Sequence, residues 1–255
     1  MKVLLKKLLF KVFGTVPALK ILNRGYFFLY HTGYLALFPE FRYHYFARKL
    51  VSNGDTVVDI GANLGYYSRL FAKWVGPKGK VVSVEPVDIF AGIIRWNTKK
   101  YGNVEVLNFA LGSEKKEVTL ATPDRFGYLR TGLAHIVDDE TSGHEYSFRA
   151  QMERGSVLLK DLTRLDFIKC DIEGYEGFVL PEIMVLIRKF KPIVQVETAG
   201  ENRKNLERFF GDMGYSLFEL EGGCLLKPEL LKGISPGEVL FVPSERMDKI
   251  KAYIP

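Results

Sequence analysis

At 255 residues, with 47% hydrophobic, 26% charged and 13% aromatic side chains, the chain has the composition of an ordinary globular protein, which excludes a disordered, collagenous or disulfide-stapled one. One domain of this length with a short appendage buries roughly 70–75% of its unfolded surface and needs no metal staple to hold a core; Cys170 and Cys224 read as free thiols of a reducing compartment. The net charge of +6 is uneven: residues 1–50 hold nine Lys/Arg and one acid, Glu40, whereas the remainder carries 27 basic and 29 acidic side chains, so the body lacks the charge to hold a phosphate backbone and nucleic acid is not an expected partner.

Residues 1–50 are expected to form a basic, aromatic-rich helical extension and residues 51–255 the main domain. The extension holds 12 of the 34 aromatic residues. Its longest stretch without a formal charge, Gly25 to Pro39, spans 15 residues, short of the roughly 20 apolar residues of a membrane span. Lys6, Lys7 and Lys11 interrupt the apolar region and no small-residue cleavage site follows, so no signal peptide is expected. On a helical wheel Leu4, Leu5, Leu8, Leu9, Val12 and Val16 fall on one arc and Lys2, Lys6, Lys7 and Lys11 on the other, with Val3 and Phe10 spoiling the separation. Such a helix either lies in an anionic lipid interface, each lysine contributing on the order of 1 kcal/mol, or packs its apolar side on the body. The expected location is cytoplasmic, peripheral at the inner face of a membrane in the first case.

From Gly54 the chain alternates strand-like and helix-like segments, an α/β pattern. Strands are predicted at 56–60, 80–84, 104–108, 117–121, 166–170, 192–197, 215–220 and 238–242, and helices at about 65–75, 87–100, 175–190 and 201–213. The polar run 122–155 is too long for a plain connection and reads as an inserted functional loop or small subdomain.

The first chemical signal is Asp59-Ile60-Gly61-Ala62-Asn63-Leu64-Gly65, where a buried-type strand runs into a glycine-rich turn and a helix. Ligands of open α/β sheets bind at such strand ends. The pattern is D-x-G-x-N-x-G rather than G-x-G-x-x-G, and an aspartate there repels a pyrophosphate but attracts a ligand bearing an amino group and a sulfonium. Glu85 follows the next strand in Val84-Glu85-Pro86, where a carboxylate accepts both hydroxyls of a ribose, although a dinucleotide enzyme also places an acid there.

Gly54-Asp55-Thr56-Val57-Val58-Asp59-Ile60-Gly61-Ala62-Asn63-Leu64-Gly65-Tyr66-Tyr67-Ser68, Val84-Glu85-Pro86, Asn108-Phe109-Ala110-Leu111-Gly112 and Phe167-Ile168-Lys169-Cys170-Asp171-Ile172-Glu173-Gly174-Tyr175-Glu176 together resemble the FkbM-type S-adenosylmethionine-dependent methyltransferases, over about residues 40–245. The resemblance implies a class I, Rossmann-like fold: a mostly parallel seven-stranded sheet with an antiparallel C-terminal strand and helices on both faces. It also implies that Asp59, Gly61, Asn63 and Gly65 shape the pocket for the methionine part of the cofactor, that Glu85 holds the ribose, and that Asn108, Phe109 and Ala110 flank the adenine, with Phe109 packing on the ring or filling core.

Asp171 ends an otherwise apolar strand, so its carboxylate is expected at the cofactor edge. Glu173 and Glu176 follow, where acids also favour a helix N-terminus by about 0.3–1 kcal/mol. Glu197 closes the next strand. In the related catechol-type O-methyltransferases acids at these two strand ends hold Mg²⁺, a placement that Asp171 and Glu197 match, with no third ligand evident. Candidates for the general base are Asp171, Glu197, His135 and His144. The reading is O-methylation of a hydroxyl on a glycan, a lipid-linked sugar or another small metabolite, with the acceptor pocket between segments 26–46 and 122–155. Its rivals are a non-catalytic peripheral membrane protein on the same fold, an NAD-dependent oxidoreductase and a nucleic-acid methyltransferase.

Overall fold

The computed structural model describes residues 2–122, 128–132, 135–137, 146–228 and 237–255. Helices α1 (Lys2–Phe13), α2 (Thr15–His31) and α3 (Arg42–Leu50) lead into β1 (Thr56–Ile60), α4 (Tyr66–Val75), β2 (Lys80–Val84), α5 (Asp88–Thr98) and β3 (Val104–Leu107). A second group follows, β4 (Ala110–Leu111), β5 (Lys116–Thr122), β6 (His135–Val137) and β7 (Tyr146–Glu153), then α6 (Gly155–Leu158), β8 (Phe167–Cys170), α7 (Glu176–Glu182), α8 (Met184–Phe190) and β9 (Ile193–Thr198). The chain closes with α9 (Gly200–Gly211), β10 (Tyr215–Glu221), β11 (Cys224–Leu226) and β12 (Gly237–Pro243).

The main sheet has the order β11-β10-β12-β9-β8-β1-β2-β3. β3, β2, β1, β8 and β9 run parallel, and β12 inserts antiparallel between β9 and β10. The expected seven strands are all present, but β11 pairs with β10 as an eighth. Strand 117–121 is not in this sheet: as β5 it joins a separate four-stranded sheet, β4-β7-β5-β6. Within 122–155 the structure places β6 and β7, the latter an eight-residue strand paired with β5, so of the two alternatives for this run, loop or small subdomain, its described part forms strands of a second sheet. Alternation alone could not say which sheet β5 would join, since the period is the same in both.

β1 is buried at all five positions because β2 and β8 flank it and helices cover both faces, so Val57, Val58 and Ile60 are apolar on both faces and Asp59 is the one charged side chain among them. The chain leaves β1 toward β2 and β3 on one side and later returns to β8 on the other. The ends of β1 and β8 therefore form the crevice where open α/β sheets bind ligands.

Two predicted helices break. Helix 175–190 is two, α7 and α8, meeting at Ile183 beyond Pro181, which supplies no N–H to continue the ladder. The N-terminal helix ends at Gly14, whose φ of 74° starts a new helix, so Val16 belongs to α2. α2 and α3 are built into the body: Leu19, Phe27, Tyr43, Phe46 and Leu50 are buried. Asn23 of α2 and Asn97 of α5 both donate to Leu64 O, at 2.9 and 2.8 Å, and so fix the glycine turn from outside. Among the described residues no helix is long and apolar enough to cross a membrane.

Candidate active site

The turn after β1 is held by its own backbone chemistry. Gly61, Asn63 and Gly65 all have positive φ, at 72°, 52° and 73°. At Gly61 a Cβ would stand 1.9 Å from the carbonyl oxygen of Asp171, so the close approach of the β8 end requires glycine. Asn63 donates its N–H to Glu85 Oε2 at 2.7 Å, and Val87 donates to Oε1 at 2.9 Å. These amides orient the Glu85 carboxylate, while burial pushes its pKa up to about 8.

Two cavities meet at this turn, sharing Gly61, Asn63 and Asp171. The narrow one, about 100 Å³, has apolar walls from Phe109, Ala110, Leu111, Leu120 and Ile136 and a polar side at Glu85. The larger, about 650 Å³, is lined by aromatic residues of the N-terminal segment, among them Tyr26, Phe41 and His44, and by Asp59, Asp171, Glu197 and Glu238. Together they fall in the range of roughly 300–1,000 Å³ that holds small molecules.

Asp59 is fully buried. Its Oδ2 accepts a 2.6 Å hydrogen bond from Ser68, its Oδ1 has no partner, and burial raises its pKa. Gly65 lines neither cavity and instead starts α4. Asn108 is also outside the narrow cavity: its side-chain amide donates to Glu85 O and Pro86 O, each at 2.9 Å. That is a correction to its expected place beside a ligand ring, and it makes Asn108 the brace of the Glu85 loop. Phe109 and Ala110 do line the narrow cavity.

At the β8 end, Lys169 donates to Asp171 Oδ2 at 2.8 Å from a side chain only 5% exposed. Burial opposes its charge, but Asp171 and Asp59 outweigh that and hold the ammonium above its ordinary pKa. Burial likewise opposes the Asp171 charge, and Lys169 overturns it, keeping that carboxyl below the usual range. Glu197, exposed at the rim, is pushed up to about 8 by partial desolvation and by the neighbouring Asp171 charge. Glu238, opposite Glu197 in the β9–β12 register, accepts from Gln195 at 2.7 Å and from Tyr67 at 3.1 Å.

Asp171 and Glu197 do not fit a Mg²⁺ site. An ammonium already occupies Asp171, the Asp171 charge disfavours ionisation of Glu197, and no group of three ligating side chains occurs among the described residues; Mg²⁺ takes an octahedral set of oxygens. Of the histidines, His135 lies on β6 opposite Ala121 and His144 is outside the described residues. Among the described residues a histidine that does line the larger cavity is His44, stacked on Tyr67 with ring centroids 4.1 Å apart. Burial and Lys169 lower its pKa to about 3, so it is neutral near pH 7 and a weak base. Glu176 is structural: its Oε1 accepts from Ile172 N and Gly174 N, and its Oε2 from Asn202. Sequence reasoning missed His44, Gln195 and Glu238 as site residues. The available signal was a polar side chain within each otherwise apolar strand, at Lys169, Gln195 and Glu238.

A family model described as the methyltransferase FkbM domain matches residues 59–217. The chain is 36% identical over 70 residues to a protein-L-isoaspartate O-methyltransferase of Aeropyrum pernix, covering 28% of this chain and 27% of that protein. It is 37% identical to a second such enzyme, of Archaeoglobus fulgidus, covering 28% of this chain and 37% of that protein. The matches thus span well under half the length of these relatives. Among solved structures, a methyltransferase FkbM of Methylobacillus flagellatus is similar at 16% identity and a TM-score of 0.49, over 73% of this chain and 43% of that one.

Proposed function

Because the chain belongs to the FkbM methyltransferase family, we propose that it transfers a methyl group from S-adenosylmethionine to a hydroxyl of a polyhydroxylated acceptor, such as a glycan or a lipid-linked sugar. The observation that carries this reading is the pair of cavities meeting at Gly61, Asn63 and Asp171.

The residues fit the cofactor. Asp59 Oδ1 and Asn63 Oδ1 are buried acceptors without a partner and suit its ammonium. Glu85 keeps lone pairs beyond its two amide bonds for ribose hydroxyls, and Phe109, Ala110, Leu111 and Ile136 offer apolar walls for adenine. When bound, the cofactor supplies an electrophilic methyl on a sulfonium.

The larger cavity suits a sugar-like acceptor, because carboxylates accept from hydroxyls while aromatic faces cover C–H surfaces. A neutral hydroxyl must lose its proton, and the Asp171–Glu197 pair is the base at the shared rim; Lys169 keeps Asp171 ionised and oriented. Positioning the oxygen at about 3–3.5 Å from its target supplies much of the remaining acceleration.

The cofactor assignment is tested by calorimetric titration with S-adenosylhomocysteine. Micromolar binding is expected, weakened about tenfold or more in Glu85→Ala through loss of two hydrogen bonds of roughly 0.5–1.5 kcal/mol each, with no binding of NAD. Binding of NAD instead would decide for an oxidoreductase. Asp59→Ala is a poor control, since it leaves Ser68 without its buried acceptor and removes one of the carboxylates that hold the Lys169 ammonium.

The acid pair gives a pH signature. A base raised to about 8 is protonated at neutral pH and gains activity as the pH climbs through that value. The expected kcat/KM therefore rises through about pH 8, and Glu197→Gln flattens this limb and lowers kcat about a hundredfold. An unchanged profile in the variant would remove Glu197 from the chemistry.

A further inference from the structure

Helix α1 turns its most apolar side away from the protein. Leu4 is 73% exposed, Leu5 68%, Leu8 56% and Val12 63%, whereas the contacts with the body come from the opposite side. Phe10 packs on Tyr128 at 5.7 Å between ring centroids, and the Lys6 ammonium lies 5.9 Å from the same ring. Phe10, which looked like a flaw in the amphipathic pattern, is the residue that docks the helix. The choice between packing the leucine arc inward and leaving it outward is thus made in favour of outward. At 3.6 residues per turn, Lys7 and Lys11 fall beside Leu4 at the edge of the arc, and both are exposed.

An apolar arc bordered by lysines needs an occupant that is apolar inside and anionic at its surface. Residues 1–39 carry no acidic side chain, so nothing in this segment offsets the attraction to negative charge. A second copy of the chain is a poor occupant, since facing arcs would bring Lys7 and Lys11 against their own counterparts. We infer that α1 is a docking surface for an anionic phospholipid bilayer, lying in the interface with Leu4, Leu5, Leu8 and Val12 in the acyl boundary and Lys7 and Lys11 at the headgroups. This inference goes beyond the proposed chemistry and does not depend on it.

The test is co-sedimentation of the full chain with vesicles of equimolar phosphatidylcholine and phosphatidylglycerol, against phosphatidylcholine alone. Partitioning is expected to be about tenfold or more stronger on the anionic vesicles and to weaken in about 0.5 M salt. Leu8→Glu and the double variant Lys7→Glu/Lys11→Glu should each lose about tenfold in partitioning, with S-adenosylhomocysteine titration unchanged, because these side chains are exposed and line neither cavity. Equal, weak sedimentation with both vesicles, or a Leu8→Glu variant that binds like the parent, overturns the proposal. So does a dimer in sedimentation velocity that Leu8→Glu abolishes while vesicle binding is absent, which would assign the arc to a second copy.

Discussion

Replacing Gly61 with alanine is expected to destabilise the protein by about 2–5 kcal/mol and to abolish cofactor binding. Left-handed backbone costs a side chain roughly 1–2 kcal/mol, and forced overpacking typically adds about 1–3 kcal/mol. The new Cβ would meet the Asp171 carbonyl oxygen at 1.9 Å, and Asp171 C and Ile172 Cγ2 at 2.9 Å. That carbonyl has little freedom to retreat, because Asp171 N is bonded to Ile60 O and β8 is paired with β1 throughout. Relief by moving the turn would shift Asn63 and so the carboxylate of Glu85. Gly102→Ala is the control: its φ is 70° but nothing lies within 4 Å of a Cβ there, so only the backbone cost of roughly 1–2 kcal/mol applies. Urea unfolding of the two variants with S-adenosylhomocysteine titration of each decides the matter. Equal losses at both positions would show that the approach of Asp171 is not what demands glycine.

Lys169→Met should be comparably damaging, about 3–5 kcal/mol, the cost of leaving a buried charge without its partner. The ammonium stands 2.8 Å from Asp171 Oδ2 and is the counter-charge for Asp59 and Glu238 as well. Without it three acids of one pocket face each other. The loss is expected to depend on pH with a definite sign: the depressed pKa of Asp171 stabilises the native state above the ordinary carboxylate range, and that contribution disappears as acid protonates the group. The variant should therefore differ most from the parent near neutral pH and approach it in acid. Denaturation midpoints at about pH 8 and at successive values below about pH 4, where the depressed carboxyl takes up its proton, test this, and a gap that stays constant through that acid range would mean that lost packing of the lysine stem against Tyr67, not charge, is the cause.

Those two residues also mark how far the sequence could be read. Gly61 was legible because the demand on it is local: a buried strand, a sharp turn and a helix start leave few alternatives to glycine. Glu85 and Asp171 were legible for a related reason, since a strand written in β-branched and apolar residues carries its last side chain to the sheet edge whatever its neighbours are. Lys169 was visible as an oddity in an apolar strand, but its role depends on Asp59 and Glu238, which lie 110 and 69 positions away in the chain. Asn108 shows the opposite error. Its position after β3 suggested contact with a ligand, yet a side-chain amide within reach of two free carbonyls binds those first.

By itself the sequence determined the α/β order, seven strands of the main sheet, the glycine turn, and the acids that end β1's neighbours, because period-two and helical patterning and turn chemistry act over a few residues. Tertiary structure alone decided the rest. It sent β5 to a second sheet over the narrow cavity, folded β12 back so that Glu238 faces Glu197, brought His44 onto Tyr67, joined Asp171 to Lys169 in place of a metal, and turned the leucines of α1 outward. The physical reason is the same in each case. These outcomes depend on the strand pairing and packing of segments remote in the chain, where the energy of a side chain is set by what is brought against it, and a local pattern is equally compatible with several partners.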